Sequence, residues 1–187
     1  MKTIFILIFI FSGFISLSLS QTTSFAKAPS PVVYVDPKNF SGLWYEIART
    51  YNSYEEDCVA ATVEYKLVEE LEYKVTNRCF ENEIGGDLKV YNGTAKAVNG
   101  NAMSQIEKTY FWFFSKDYRI IYLDDYKTAV MSDEKMENVW IMHREPFLEK
   151  EKLDSIVTML DKYMDTSKLI YTPQDKNGRY KWKMKKN

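Results

Sequence analysis

Hydrophobic and polar positions change rhythm along the chain. Residues 4–19 are almost continuously apolar, residues 42–144 alternate in short runs, and residues 149–165 repeat every three or four positions. The alternating region divides into eight short strands, at residues 44–51, 59–67, 71–78, 87–98, 103–108, 118–123, 127–131 and 139–144. β-Branched and aromatic residues dominate these runs. Turn residues separate or bend them: Val68-Glu69-Glu70, Asn92-Gly93 and Asn99-Gly100. Such regular short spacing predicts a β-sandwich or an antiparallel barrel. After Glu145-Pro146, the residues Leu153, Ile156, Val157, Leu160, Tyr163 and Met164 recur at helical spacing, with Lys and Glu on the other face. This predicts one amphipathic helix over 149–165, which buries its stripe most simply on the outside of the strand layer. A short strand at 168–171 follows.

The apolar opening is a different case. Lys2 precedes it, and Ser18 and Ser20 frame a cut before Gln21. The run is shorter than the roughly 20 apolar residues of a membrane span and is broken by Ser and Gly. It reads as a secretory signal peptide over residues 1–20, leaving an exported mature chain. Ala26-Lys27-Ala28 offers a second cut, disfavoured by Pro29. No cysteine lies near either cut to carry a lipid anchor. Residues 21–34 read as a flexible lead-in, 35–174 as the domain, and 175–187 as a basic tail with a net charge of +5. The plainer reading of that tail is a solvated end. The other is attraction to anionic lipid with Trp182 as an interfacial anchor.

Composition narrows the function. A chain of 187 residues suits one domain. An aromatic content of 16% excludes a disordered chain. A net charge of −1 argues against a nucleic-acid partner, which requires a basic face. A single histidine argues against a multi-His metal site, and no metal or cofactor is expected. Export places Cys58 and Cys79 in an oxidising compartment, where an even count favours a bridge. The hairpin around residues 68–70 sets them opposite each other, within disulfide reach. Closing such a loop stabilises by roughly 3 kcal/mol in the chain-entropy model. The alternative is a nucleophilic thiol. Asn39-Phe40-Ser41 and Asn92-Gly93-Thr94 match the N-glycosylation acceptor pattern, so Asn39 and Asn92 are candidate sites in a eukaryotic source.

Three ordered blocks carry a family resemblance. Phe40 with Gly42-Leu43-Trp44-Tyr45-Glu46-Ile47-Ala48-Arg49 resembles the Gly-x-Trp-Tyr block of the lipocalins. Leu123-Asp124-Asp125-Tyr126 resembles the second block, and Trp140-Ile141-Met142-His143-Arg144-Glu145-Pro146 the third. Asn77-Arg78-Cys79 with Cys58, and Ser167-Lys168-Leu169-Ile170, resemble the bacterial lipocalin and apolipoprotein D-like branch. The chain departs from the pattern at His143, where a small polar residue is usual, and in its unusually aromatic stretch Tyr110-Phe111-Trp112-Phe113-Phe114.

The resemblance implies an all-β fold: an eight-stranded antiparallel up-and-down barrel with one C-terminal helix packed outside. It implies a carrier of a small hydrophobic ligand such as a fatty acid, lysophospholipid or sterol, and no catalysis. Some relatives modify lipids, in one case through a cavity thiol, and that chemistry would require a free cysteine here. A barrel of this size holds one small ligand. Trp44 and Arg144 are expected to close one end as a cation–π pair. Alternation from Trp44 then points Glu46 and Ala48 inward. The same rule brings in Trp140 and Met142 with Arg144, and Ile120 and Tyr122 opposite Arg119. On the second strand Ala60 and Thr62 would leave volume inside, whereas Val63 and Tyr65 would fill it. Glu46, Ala48, Ala60, Thr62, Ile120, Tyr122, Trp140 and Met142 are the candidate lining residues, with Glu46 or a tyrosine hydroxyl to orient a polar head. Phe111, Trp112 and Phe113 are candidate rim residues, either folded back or exposed to ligand or membrane. His143 is expected to face outward.

Overall fold

The computed structural model describes residues 25–100, 102–111 and 113–176. The expected signal peptide, Trp112 and residues 177–187 of the basic tail lie outside the described residues.

Eight antiparallel strands close into a barrel: β1 (Gly42–Arg49), β2 (Cys58–Glu69), β3 (Glu72–Glu81), β4 (Leu88–Ala97), β5 (Gln105–Tyr110), β6 (Phe114–Asp124), β7 (Thr128–Ser132) and β8 (Val139–His143). Each strand pairs with its successor, and closure comes from β1, which pairs with both β2 and β8. The barrel is the second of the two architectures that the strand spacing allowed. A short strand, β9 (Ile170–Tyr171), adds to the edge of β1 through Ala48 and Arg49. Before β1 lies a one-turn helix, α1 (Pro37–Phe40), which the hydrophobic pattern did not predict. It is held by local chemistry instead: Pro37 presets the first turn, and Asp36 Oδ1 accepts from Asn39 N at 2.8 Å.

The helix α2 (Lys150–Leu160) lies outside the barrel. Ile156 and Leu160 bury against Ile47, Ala48, Val130, Val139 and Ile141, the outward residues of β1, β7 and β8. A second core fills the closed half of the interior, with Trp44, Phe40, Tyr65, Tyr73, Ile106 and Ile120 among its members. Residues 25–34, read above as flexible, are pinned at two points: Ala26 N donates to Lys162 O at 2.9 Å, and Val32 N to Ile120 O at 2.8 Å. Cys58 and Cys79 form the predicted disulfide, with their Cα atoms 5.3 Å apart.

Of the four register shifts in the described strands, three set what faces inward near the cavity. They lie between Glu46 and Ala48, between Val59 and Thr62, and between Ile120 and Tyr122. Each inserts a residue into one strand, so side chains beyond it change face.

Candidate ligand-binding cavity

One end of the barrel is sealed. Trp44 is fully buried, and its Nε1 donates to Phe40 O at 2.9 Å. The Arg144 guanidinium lies 3.7 Å from the centroid of the Trp44 ring. Its nitrogens also donate to Leu43 O at 2.8 Å, Asn39 O at 2.8 Å, Ser41 O at 2.9 Å and Tyr126 O at 3.1 Å. A planar fork satisfies ring and carbonyls together in a way a lysine cannot. The β6–β7 turn contributes to the same seal. Asp125 and Tyr126 both have positive φ, the geometry of a tight hairpin turn, and Tyr126 Oη accepts from Asp36 N at 2.9 Å. Above Trp44 sits an aromatic layer. Phe40 lies 4.9 Å from Trp44 and 5.2 Å from Tyr65, and Tyr65 lies 5.4 Å from Tyr73, centroid to centroid.

Beyond this layer the interior opens into a cavity of about 410 Å³, within the range of small-molecule sites. Val63, Met131, Met142, Tyr118 and Trp140 belong to its apolar wall. The mouth is framed by the segment after β1, at Tyr51 and Tyr54, and by the β5–β6 hairpin, at Phe111 and Phe114. All four rings are more than two-fifths exposed.

Charged groups reach the cavity from three sides. Glu46 is buried, accepts from Thr172 Oγ1, and lies 3.3 Å from Arg49 Nε. Burial, reinforced by the nearby Glu55 carboxylate, raises its carboxyl well above the usual range. Glu55 accepts from Trp140 Nε1 at 3.1 Å, fixing that indole in the wall. Lys116 pairs with Asp133 at 2.7 Å. Lys108 is 8% exposed and lies among rings, with Tyr65 and Tyr118 centroids at 5.3 Å and Trp140 at 5.7 Å from Nζ. Burial pushes its amine down to about 8. Tyr110 Oη accepts from Asn77 Nδ2 at 2.6 Å, and burial pushes the phenol up to about 12.

The closed barrel with one helix packed outside has counterparts among known proteins. Residues 35–174 match the description of the lipocalin-like domain. The chain is a lipocalin. It is 30% identical over 162 residues to outer membrane lipoprotein Blc of Vibrio cholerae, covering 85% of this chain and 94% of that protein. It is 29% identical over 164 residues to apolipoprotein D of Rattus norvegicus, covering 82% and 85% respectively. These relatives place it in the bacterial lipocalin and apolipoprotein D-like branch. Among solved structures, insecticyanin from the tobacco hornworm Manduca sexta superposes with a TM-score of 0.67 at 18% identity, over 84% of this chain and 90% of that one. Lobster apocrustacyanin A1 gives 0.62 at 18% identity, over 78% and 83%.

In this lipocalin the predicted lining residues divide. Glu46, Thr62, Trp140 and Met142 line the cavity. Ile120 faces inward but belongs to the packed core rather than the cavity wall. Ala48, Tyr122 and Ala60 are corrections. The bulge after Glu46 pairs Ala48 with Ile141 and turns it out under α2. The bulge after Ile120 does the same to Tyr122, whose ring lies 5.4 Å from Lys152 Nζ outside the barrel. Ala60 sits in the β2 bulge with φ 50° and packs on Phe80. Val63 and Tyr65, the competing pair on that strand, take the inward face.

At the rim, Phe111 lines the mouth, whereas Phe113 is outside the lining and 86% exposed. Phe114, part of the aromatic stretch noted in the sequence but not among the candidate rim residues, takes a lining position. His143 is half-buried, and its Nδ1 lies 2.9 Å from Thr128 Oγ1. Burial lowers its pKa. Asn39 and Asn92 are both exposed. Sequence reasoning missed Lys108, Glu55, Asn77 and Tyr110. Alternation through the buried Ile106 would have found Lys108 and Tyr110, because all three share one face of β5.

Proposed function

We propose that this lipocalin is exported and carries a small amphiphile, its apolar chain buried in the barrel. The supporting observation is the apolar cavity of about 410 Å³ above a sealed aromatic floor and below an exposed aromatic mouth. Binding needs no chemistry. Each CH₂ moved from water into the cavity contributes about 0.8 kcal/mol, close to fourfold in affinity, until the cavity is full. Fatty acids, lysophospholipids and sterols all offer the required apolar body. The exposed rings of Tyr51, Tyr54, Phe111 and Phe113 around the opening suit transient contact with a bilayer, from which the ligand is taken or to which it is released. The carrier reading needs no catalytic group, and the commitment of both cysteines to the disulfide, which removes the thiol nucleophile that a lipid-modifying relative would use, supports it.

Trp140 supplies the assay. It lies in the cavity wall, edge-on to Tyr118 at 5.4 Å between centroids. Titration of delipidated protein with fatty acids of increasing length is expected to quench its fluorescence, with affinity climbing by a constant factor per CH₂ and then levelling. Trp140→Phe should abolish most of the signal but not the binding measured by calorimetry. Absence of any length dependence in wild type would refute the reading.

A further inference from the structure

Of the cations around the cavity, two have a carboxylate neighbour and one does not. Arg49 is matched by Glu46 at 3.3 Å and by Glu55 at 3.9 Å. Lys116 is matched by Asp133 at 2.7 Å. Lys108 has no such partner: among the described residues, no carboxylate lies within 4.0 Å of its Nζ. The carboxylate whose field acts on it, Glu55, is already occupied by Trp140 Nε1, Asn52 and Arg49. What surrounds the ammonium instead is three ring faces, those of Tyr65, Tyr118 and Trp140. Ring faces attract a cation, but they compensate only part of the cost of taking an ion out of water.

We infer that Lys108 anchors the carboxylate head of the ligand, so that the cavity selects single-chain carboxylates and takes them head first. This rests on the carrier reading above and adds the class and orientation of the ligand. The orientation follows from where Lys108 sits. Its Nζ lies 5.3 Å from the Tyr65 ring, part of the aromatic layer over Trp44, and 5.3 and 5.7 Å from the wall rings of Tyr118 and Trp140, so the cation stands where the wall meets the floor of the cavity. The exposed rings of Tyr51, Tyr54, Phe111 and Phe114 are at the opposite, open end, where the tail would emerge. A carboxylate at the floor gains a charge-assisted hydrogen bond in a water-poor site, about twice as strong as a neutral one. An alcohol head loses its hydration there and leaves the ammonium uncompensated. A trimethylammonium head brings a second cation beside the first. The apolar wall cannot discriminate among these three, and Glu46, Glu55 and Lys116 also line the cavity, so the part of any head-charge ranking that is lost in Lys108→Met is what reports on Lys108. Its amine, lowered to about 8, still carries its proton at neutral pH, as the pairing requires.

The test is calorimetric titration of the delipidated full chain at pH 7 with dodecanoate, dodecanol and dodecyltrimethylammonium, all below their aggregation limits. The same titrations are run on Lys108→Met and Lys108→Arg. Wild type should bind dodecanoate at least about tenfold more tightly than dodecanol, and the cation most weakly. Lys108→Met should lose that preference, binding dodecanoate no more tightly than dodecanol, and Lys108→Arg should keep it. Equal affinity of wild type for dodecanoate and dodecanol would overturn the anchor, whatever the variants do. So would a preference that survives in Lys108→Met. If no dodecyl compound binds at all, the carrier reading fails along with it, and the two failures are told apart by the dodecanol titration.

Discussion

Lys108 makes the empty protein less stable than it need be, and the cost has a pH signature. Burial lowers its amine to about 8 in the folded state. The unfolded chain binds the same proton with a pKa of about 10.4. Between those values the unfolded state holds more protons than the folded one, so stability must rise with pH. Linkage over that interval gives a gain of about 2 kcal/mol from pH 7 to pH 9.5, out of a total near 3 kcal/mol for the full shift. Lys108→Met lacks the term entirely and should be more stable than wild type at pH 7, with the difference shrinking toward pH 9.5. The buried phenols of Tyr65, Tyr73, Tyr110 and Tyr118 are all raised, so they oppose folding only when the pH climbs above about 10. They are common to both proteins and cancel in the comparison. Urea unfolding of the delipidated proteins, followed by far-UV circular dichroism across this range, measures the difference directly. Parallel stability curves for wild type and Lys108→Met would refute the argument, because they would mean that the amine is as well solvated folded as unfolded.

Other expectations concern the frame around the cavity. Arg144→Lys should cost about 2–4 kcal/mol in urea unfolding, because lysine cannot stack on Trp44 and serve the carbonyls of Asn39, Ser41, Leu43 and Tyr126 together. Gly93→Ala places a Cβ against Thr109 O and 2.7 Å from Tyr110 Cδ1, so the β4–β5 pairing must yield. That variant should lose at least about 1 kcal/mol of stability and weaken fatty-acid binding by displacing Tyr110 from the wall. Replacing both cysteines with serine should cost roughly 3 kcal/mol for a loop of this length, read from the shift in urea midpoint. Phe113→Ser, at a ring 86% exposed and outside the cavity lining, should reduce co-sedimentation with lipid vesicles while leaving the affinity for short fatty acids within about threefold.

The barrel was legible because its signals are local and redundant. Strand runs, turn residues and the helical stripe of α2 each follow from side-chain periodicity, and Trp44 and Arg144 sit in blocks whose order carries the resemblance. The cavity wall was only half legible, and the reason is physical. Alternation holds along an unbroken strand, but β1, β2 and β6 each carry a bulge that reverses it. Ala48 and Tyr122 therefore moved to the outer face, where nothing in the sequence marks the extra residue. Ala60 was harder still, since a small residue fits an empty interior and a tight bulge equally well. Lys108 escaped notice for the opposite reason. A lysine within a strand is ordinarily read as solvent-facing; alternation from Ile106 argues otherwise, and the company of Tyr65, Tyr118 and Trp140, drawn from three other strands, shows it in three dimensions. Glu55 lies in a segment without periodicity, so its bond to Trp140 could be found only in three dimensions.

The most direct test of the account is native mass spectrometry of the protein purified without detergent, followed by extraction and identification of whatever travels with it. The account predicts one single-chain carboxylate per protein molecule, lost or exchanged for a neutral lipid in Lys108→Met. A protein that arrives empty and stays empty after incubation with fatty acids would contradict it.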